Sequence, residues 1–128
     1  MKVLIDTHAW LWLITDDKRL SEPARQTFLD PDNALFFSMA SFWEICIKIS
    51  LGKLTLAKGW PEIIQKQMGN NAVGWLPIEI DHCLAASNLP FHHRDPFDRM
   101  LLAQATVESL IILSADQAFS EYSVQRIW

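Results

Sequence analysis

The amino-acid sequence predicts an α/β fold, in which a doubly wound, mostly parallel sheet of about five strands is flanked by helices. Three observations support this prediction. Five short β-branched and aliphatic runs recur along the chain, helix-like segments separate them, and no Pro-, Gly- or Ser-rich tract interrupts the 128 residues. Strands that alternate with helices favour right-handed crossovers and parallel pairing. A chain of this length is sized for one compact domain, so residues 1–128 are expected to fold as a single unit.

The predicted strands have the composition that buried strands prefer. In chain order they cover Lys2 to Ile5, Ala34 to Phe37, Trp75 to Ile78, Leu110 to Leu113 and Val124 to Ile127. In doubly wound sheets, ligands bind beyond the carboxyl ends of the strands. The residues that follow each strand are therefore the first candidates for chemistry.

Helix start and stop signals lie between these runs. A capping serine followed by a proline opens the first helix at Ser21, and Gly52 ends the next one. Only a short turn is expected at Thr7 and His8. The later predicted helices cover Ser41 to Leu51, a segment from Trp60, Asp81 to Asn88, and Asp95 to Glu108.

Charge and hydropathy exclude broad classes of function. The formal net charge of -4 argues against binding nucleic acid through a wide basic face, because such affinity comes from Lys and Arg that neutralise phosphates. Asp6 interrupts the apolar start, and no apolar run approaches the length of a membrane span, so a cytoplasmic protein is expected. Cys46 and Cys83 lack the spacing of metal ligands and are expected to be buried free thiols.

Four carboxylates are predicted to meet at one rim of the sheet. Asp6 follows the first strand and Asp116 follows the fourth, so both should emerge where parallel strands end. Glu44 and Asp98 each lie near a helix start and head an apolar stripe, which predicts that both point toward the sheet. The stripes are Ile47 and Leu51 after Glu44, and Leu101, Leu102 and Ala105 after Asp98.

Each acid taken alone also has a structural interpretation. Ser41 to Glu44 matches a capping box, and Glu44 can form an ion pair with Lys48 at i+4. Asp6 has the least structural justification, because only a short turn follows it. The remaining acids can cap helices or favour their dipoles, namely Asp95, Asp98 and Asp116.

Taken together, the acids predict a site for a divalent ion. Carboxylates that cluster in a partly desolvated cleft repel one another, so a cation should compensate them. Mg²⁺ or Mn²⁺ suits an all-oxygen site, whereas Zn²⁺ normally recruits His or Cys. His92 and His93 are adjacent and cannot easily face one ion together, so an exposed loop is expected for both, and His8 and His82 are equally unremarkable.

Such ions are the usual apparatus for phosphodiester hydrolysis, and they make a side-chain nucleophile unnecessary. Consistent with this, the chain has no glycine-rich phosphate loop, no Gly-x-Ser-x-Gly elbow and no Cys-His constellation. Hydrolysis with the help of a metal ion is therefore the chemistry that the sequence favours.

Four segments together resemble the ordered motifs of VapC-type PIN domains, the toxins of type II toxin-antitoxin pairs. These segments span nearly the whole chain. The resemblance implies a PIN-like doubly wound fold, Mg²⁺- or Mn²⁺-dependent endoribonuclease activity on RNA, homodimers and an inhibitory antitoxin partner. The segments are Leu4 to His8, Ser38 to Lys48, Asp95 to Arg99 and Leu113 to Asp116.

By position, the resemblance implies that the metal-binding and catalytic acids are Asp6, Glu44, Asp98 and Asp116. Ser114 stands where the family more often has threonine, and it keeps a hydroxyl beside the last acid. Asp95 is an extra acid at a predicted N-cap, so it is expected to reach the metal only through water. Arg99 and Lys48 are the nearest cations in sequence, and they are expected either to brace the acids or to steer the scissile phosphate.

Two other functions stay open. A non-catalytic interaction module would use the acids only as helix caps, and Trp10, Trp12 and Leu13 would then form either core or a docking patch. A phosphotransfer domain also places an aspartate after a parallel strand, but the segment from Asp6 to His8 lacks the second acid of an Asp-x-Asp motif. Stabilisation by divalent ions separates the first alternative from a nuclease.

Overall fold

The structure is a computed structural model that describes residues 1–128, and it shows a five-stranded parallel sheet flanked by six α-helices. The predicted fold class is therefore confirmed. The strands are β1 (Lys2–Ile5), β2 (Ala34–Ser38), β3 (Val73–Leu76), β4 (Ile111–Leu113) and β5 (Arg126–Ile127). The helices are α1 (Thr7–Thr15), α2 (Glu22–Leu29), α3 (Met39–Ser50), α4 (Trp60–Asn70), α5 (Ile80–Ser87) and α6 (Pro96–Glu108), and a short 3₁₀ helix covers Gln117–Glu121.

The strand order β3-β2-β1-β4-β5 places a topological switch point between β1 and β4. From β1 the chain moves outward to β2 and β3, and it then returns through α5 and α6 to the other side of β1. Every pair of neighbouring strands is parallel. In sheets of this type, the crevice beyond the carboxyl ends of the two strands at the switch point is the expected ligand site.

Alternation along β1 shows how both faces of the sheet are filled. Val3 and Ile5 pack into one apolar cluster with residues of α1 to α4, whereas Leu4 packs into a second cluster with residues of α6. All three side chains are completely buried, because successive residues of a strand point to opposite faces. A strand that is covered on both faces therefore has a sequence of consecutive apolar residues.

The start of α1 differs from the prediction. A helix of nine residues replaces the short turn, and the carboxylate of Asp6 accepts a hydrogen bond from the backbone N–H of Ala9 at 2.7 Å. The expectation that Asp6 has no helix to cap is wrong. The helix is stabilised by the burial of Trp10, which is fully enclosed, and Trp12 and Leu13 pack half-buried against the same core.

The start of α3 also differs from the prediction. Ser38, the last residue of β2, is the N-cap, and its hydroxyl accepts a hydrogen bond from the backbone N–H of Ala40. The capping box predicted for Ser41 to Glu44 is therefore wrong, since both residues lie inside the helix. β3 likewise begins two residues earlier than predicted.

The remaining sequence expectations have mixed outcomes. Cys46 and Cys83 are free, but Cys46 is half-buried and Cys83 is exposed, so the expected burial is wrong. Both lie on helices whose buried faces are formed by other residues. None of the helices combines the length and the apolar character that crossing a membrane would require.

Candidate metal centre

Asp6 and Ser114 lie side by side at the switch point, each one residue beyond its strand. The hydroxyl of Ser114 donates to Oδ2 of Asp6 and accepts a hydrogen bond from the backbone N–H of Asp116 at 3.0 Å. The side chain of Asp6 is almost completely buried. Burial raises the pKa of Asp6, although the hydrogen bonds from Ser114 and from the backbone partly offset this effect.

Glu44 enters the same region from α3 and is 3% exposed. Its Oε1 accepts a hydrogen bond from the hydroxyl of Thr7 at 2.7 Å, and its Oε2 lies 2.7 Å from Nζ of Lys48. The predicted i,i+4 ion pair is therefore present. Burial lowers the pKa of Lys48, but the hydrogen bond to Glu44 and the charges of Glu44, Asp95 and Asp98 outweigh this effect and raise it.

Asp98 and Asp116 approach each other across His93. Nε2 of His93 lies 2.9 Å from Oδ2 of Asp98 and 3.4 Å from Oδ2 of Asp116. Neither contact has the angle of a hydrogen bond, so this buried nitrogen atom has no hydrogen-bond partner. The expectation that His93 is an unremarkable exposed residue is wrong, because the loop between α5 and α6 folds over the start of α6.

The acids influence one another through space. Burial and the negative charges of Asp95, Glu44 and Asp6 raise the pKa of Asp98 to about 7, although the charge of His93 acts in the opposite direction. The charge of Glu44 also contributes to the raised pKa of Asp6. The four acids predicted from the strand ends and helix stripes therefore lie at one rim of the sheet.

Helix capping and a place in the acidic cluster are compatible for Asp6 and Asp116. Each uses Oδ1 to accept a backbone N–H at a helix start, and each turns Oδ2 toward Ser114 or His93. Asp95 caps α6 as predicted, since its Oδ1 accepts the N–H groups of Phe97 and Asp98. The positive ends of the helix dipoles favour carboxylates at these positions.

Arg99 does not contact the acids, which corrects the bracing or steering role expected from its place in the sequence. Adjacent residues of a helix point roughly 100° apart, so Arg99 faces away from Asp98. Its guanidinium donates to the carbonyl oxygens of Ala86, Leu89, Pro90 and His93 at 2.8, 3.1, 2.9 and 3.2 Å. Arg99 therefore fixes the loop between α5 and α6.

Replacing Arg99 by Lys is expected to lower the free energy of unfolding by about 2–4 kcal/mol, because one ammonium cannot reach the four carbonyl groups that the planar fork spans. The urea midpoint measures this effect. Arg94→Lys is the matched control, since Arg94 is exposed and its replacement should change stability by less than about 0.5 kcal/mol. Equal midpoints for the two variants would contradict the role of Arg99.

Two residues of the site were missed by the sequence analysis. Thr7 bonds to Glu44, and its position directly after Asp6 is the signal that could have found it. His93 lies five residues before Asp98 and two residues before Asp95, the N-cap of α6. It is therefore close in sequence to the start of α6, and this position is the signal that could have found it. A single histidine at that place was overlooked because the pair with His92 was considered together.

The donor chemistry at this rim fits a hard divalent cation. Asp6 and Glu44 bring buried carboxylates, and Lys48 is paired only with Glu44. Burial is the main cause of the raised pKa values of Asp6 and Asp98, and neighbouring negative charge adds to both; a divalent ion would compensate that charge. Carboxylate oxygens are the ligands that Mg²⁺ and Mn²⁺ prefer.

An acidic crevice at the switch point of a parallel sheet is typical of α/β proteins that handle phosphate groups with the help of divalent ions. The family model described as the PIN domain matches residues 3–125. The chain therefore belongs to the PIN domain family, a family of nucleases whose members generally bind divalent metal ions. No curated protein gives a significant sequence match.

Solved structures with the same fold include toxin-antitoxin complexes. VapBC2 from Rickettsia felis, bound to a DNA fragment from its promoter, superposes with a TM-score of 0.70 at 11% identity, covering 98% of this chain and 97% of that chain. VapBC-1 from nontypeable Haemophilus influenzae gives 0.65 at 16% identity, with 98% and 96% covered. FitAcB from Neisseria gonorrhoeae gives 0.62 at 15% identity, with 97% and 95% covered. These likenesses establish the fold.

Proposed function

We propose that this chain is a Mg²⁺- or Mn²⁺-dependent endoribonuclease that hydrolyses RNA phosphodiester bonds and acts as the toxin of a toxin-antitoxin pair. The observation that carries the proposal is the group of acids at the switch point, where burial and, after it, the negative neighbours of Asp98 raise its pKa. Membership of the PIN domain family supports nuclease activity.

In this proposal the ion is held by Asp6, Glu44, Asp98 and Asp116. When bound, a divalent ion supplies the activation of water as nucleophile and the neutralisation of charge that develops on the phosphate. The chain keeps the carboxylates in position, since Ser114 donates to Asp6 and the pair of Thr7 and Lys48 holds both oxygens of Glu44. No side chain is required to attack the phosphorus atom.

In this proposal the RNA binds in a cleft of the protein beside these acids. The residues that line this cleft include Asp6, His8, Trp12, Arg19 and Asp116. The guanidinium of Arg19 lies 4.7 Å above the ring of Trp12 and forms an exposed ion pair with Asp17 at 2.9 Å, so a backbone phosphate would compete with Asp17 for it. With a net charge of -4, the chain would hold RNA chiefly through the bound ion rather than through a broad basic face.

The proposed partners are a cognate antitoxin and a second copy of the chain, and the proposed location is the cytoplasm. The structures that share this fold include a toxin-antitoxin complex from Klebsiella pneumoniae and two VapBC structures, which supports an antitoxin as the inhibitory partner. The homodimer follows from the resemblance to VapC-type domains. An antitoxin that occupied the acidic crevice would exclude RNA from it.

Removal of divalent ions is expected to abolish cleavage of a mixed RNA substrate, because the four acids alone offer neither a nucleophile nor a positive charge. The measurement compares the full chain with and without EDTA, followed by addition of excess Mg²⁺ or Mn²⁺, which should restore activity. A parallel preparation of Asp98→Asn controls for contaminating ribonuclease. Cleavage that survives complete chelation in the wild type but not in this variant would sink the metal mechanism.

A further inference from the structure

We propose that His93 is a nitrogen ligand of the ion held by Asp98 and Asp116, so that the site binds Mn²⁺ in clear preference to Mg²⁺. The inference rests on the proposed function only in requiring a divalent ion at these two acids. It adds a ligand that is not an acid, and it assigns the site to a narrower class of ion than carboxylates alone would select.

The positions of the three donor atoms carry the proposal. Nε2 of His93 and one carboxylate oxygen each from Asp98 and Asp116 all lie within 4.8 Å of one another. Two ligands at right angles, each about 2.1 Å from an ion, are roughly 3 Å apart. The distances from Nε2 to the two oxygens, 2.9 and 3.4 Å, are therefore those of neighbours in one coordination shell.

The nitrogen atom lies within ion-pair distance of both carboxylates but makes no hydrogen bond. Nε2 of His93 is enclosed by the protein, yet it makes no hydrogen bond, because its contacts with the two carboxylates have the wrong angle. A buried polar atom without a partner is costly, and most such atoms in proteins are satisfied. Coordination to an ion held by Asp98 and Asp116 would satisfy it.

The backbone around His93 is fixed by side chains from outside the loop. The backbone carbonyl of His93 accepts a hydrogen bond from Arg99, and the backbone N–H of His93 donates to the hydroxyl of Tyr122 at 2.7 Å. The same hydroxyl donates to the carbonyl of Pro90 at 3.0 Å. The ring of His93 also lies against Phe119, with 5.9 Å between ring centroids. The imidazole is thus held at the acids before any ion arrives.

The ligand type decides which ion the site prefers. Mg²⁺ strongly favours oxygen ligands and retains its water, whereas divalent ions of the first transition row accept imidazole more readily, with Mn²⁺ the weakest binder among them. A site with one imidazole and two carboxylates should therefore bind Mn²⁺ more tightly than Mg²⁺. Replacing the imidazole should remove this preference while leaving the oxygen ligands in place.

His92 is the matched control for His93. It is the adjacent residue and the same side chain, but it is exposed, and its Nδ1 lies 4.0 Å from Glu121, outside the acidic cluster. Its ring packs edge-on against Tyr122. A substitution of His92 therefore removes an imidazole from the same loop without touching the proposed ligands.

The test is a Mn²⁺ titration of the purified full chain, with free ion followed by electron paramagnetic resonance and the bound ion examined by spin-echo spectroscopy for nitrogen modulation. Wild type and His92→Gln should show the modulation, and His93→Gln should lack it. His93→Gln should also weaken Mn²⁺ binding by roughly tenfold or more, while Mg²⁺ affinity, measured by competition, stays within about threefold.

Three results would overturn the inference. Bound Mn²⁺ without nitrogen modulation in the wild type removes His93 from the shell and leaves the oxygen site of the proposed function intact. Modulation that persists in His93→Gln assigns the nitrogen to another residue. Absence of any bound Mn²⁺ in the wild type removes the metal site itself, and the proposed function with it. The wild-type spectrum is decisive even if the variant fails to fold.

Discussion

Asp98→Asn is expected to reduce RNA cleavage by roughly a hundredfold or more, whereas Asp95→Asn is expected to leave most of the activity. An amide keeps the shape of the side chain but loses the charge that holds the ion, and ion catalysis is worth several kcal/mol at the transition state. Each 1.36 kcal/mol corresponds to about a factor of ten in rate. Asp95 has a different task, since its Oδ1 caps α6.

The two substitutions form a matched pair, because the residues lie three positions apart at the start of one helix. Asparagine caps a helix about as well as aspartate does, so Asp95→Asn should keep α6 intact. The measurement is kcat/KM on one RNA at saturating Mn²⁺, with circular dichroism to verify the fold of each variant. Equal losses in both would show that Asp98 has no special place among the acids.

The second prediction concerns the metal-free protein, in which Asp98→Asn should melt roughly 5 °C or more above wild type at pH 8. The native pKa of Asp98 is about 7 and its ordinary value is 3.8. Between these values the native carboxyl binds more protons than the unfolded one, so the free energy of unfolding falls as pH rises from about 4 to 7. Above pH 7 the free energy of unfolding stays low. The loss is roughly 1.4 kcal/mol for each unit by which the native pKa exceeds the unfolded pKa, and screening by solvent reduces it.

Added Mg²⁺ should reverse the order of the two proteins. An ion that binds only the native state contributes about 2.7 kcal/mol at a hundred times its dissociation constant, and Asp98→Asn should lose most of this gain. Differential scanning calorimetry at pH 5 and pH 8, each in EDTA and in Mg²⁺, tests both statements. If the variant melts below wild type in EDTA at pH 8, then the Asp98 carboxylate stabilises the fold and the interaction-module alternative gains support.

Asp6→Asn is a less informative variant for this purpose than the sequence suggests. Without the structure, Asp6 looks like the acid that is least involved in capping. It caps α1 through Ala9 and accepts the hydroxyl of Ser114, so its replacement changes helix stability and metal binding together. The Asp98 carboxylate caps nothing, which makes its electrostatic contribution easier to isolate.

The parts of the site that could be predicted from sequence depend on local patterns. Asp6 and Asp116 follow apolar strands, and the run of apolar residues in the sequence predicts where each strand ends. The inward direction of Asp98 follows from the apolar residues at i+3, i+4 and i+7, of which Leu101 and Leu102 are fully buried. The strand count and parallel pairing follow from the alternation of elements.

The parts that could not be predicted depend on the path of the chain in space. Ser38 and Ser41 are both acceptable N-caps, and only the length of β2 decides between them. Arg99 donates hydrogen bonds to backbone carbonyl oxygens, and the positions of these oxygen atoms cannot be inferred from the pattern of side chains in the sequence. His93 reaches the acids because that loop folds back over α6, which periodicity does not describe.

The position of β4 beside β1 has a consequence for protein synthesis. Asp6 and Glu44 are made early, but Asp116 follows β4, which pairs with β1 only after more than a hundred intervening residues have been synthesised. Pairing at such separation is slow to form. Until Ile111–Leu113 leaves the ribosome, one edge of β1 is unpaired and the acidic crevice has only one wall. A nascent chain that ends before β4 therefore lacks one wall of the crevice, so the site proposed for RNA cleavage is complete only once β4 has been synthesised.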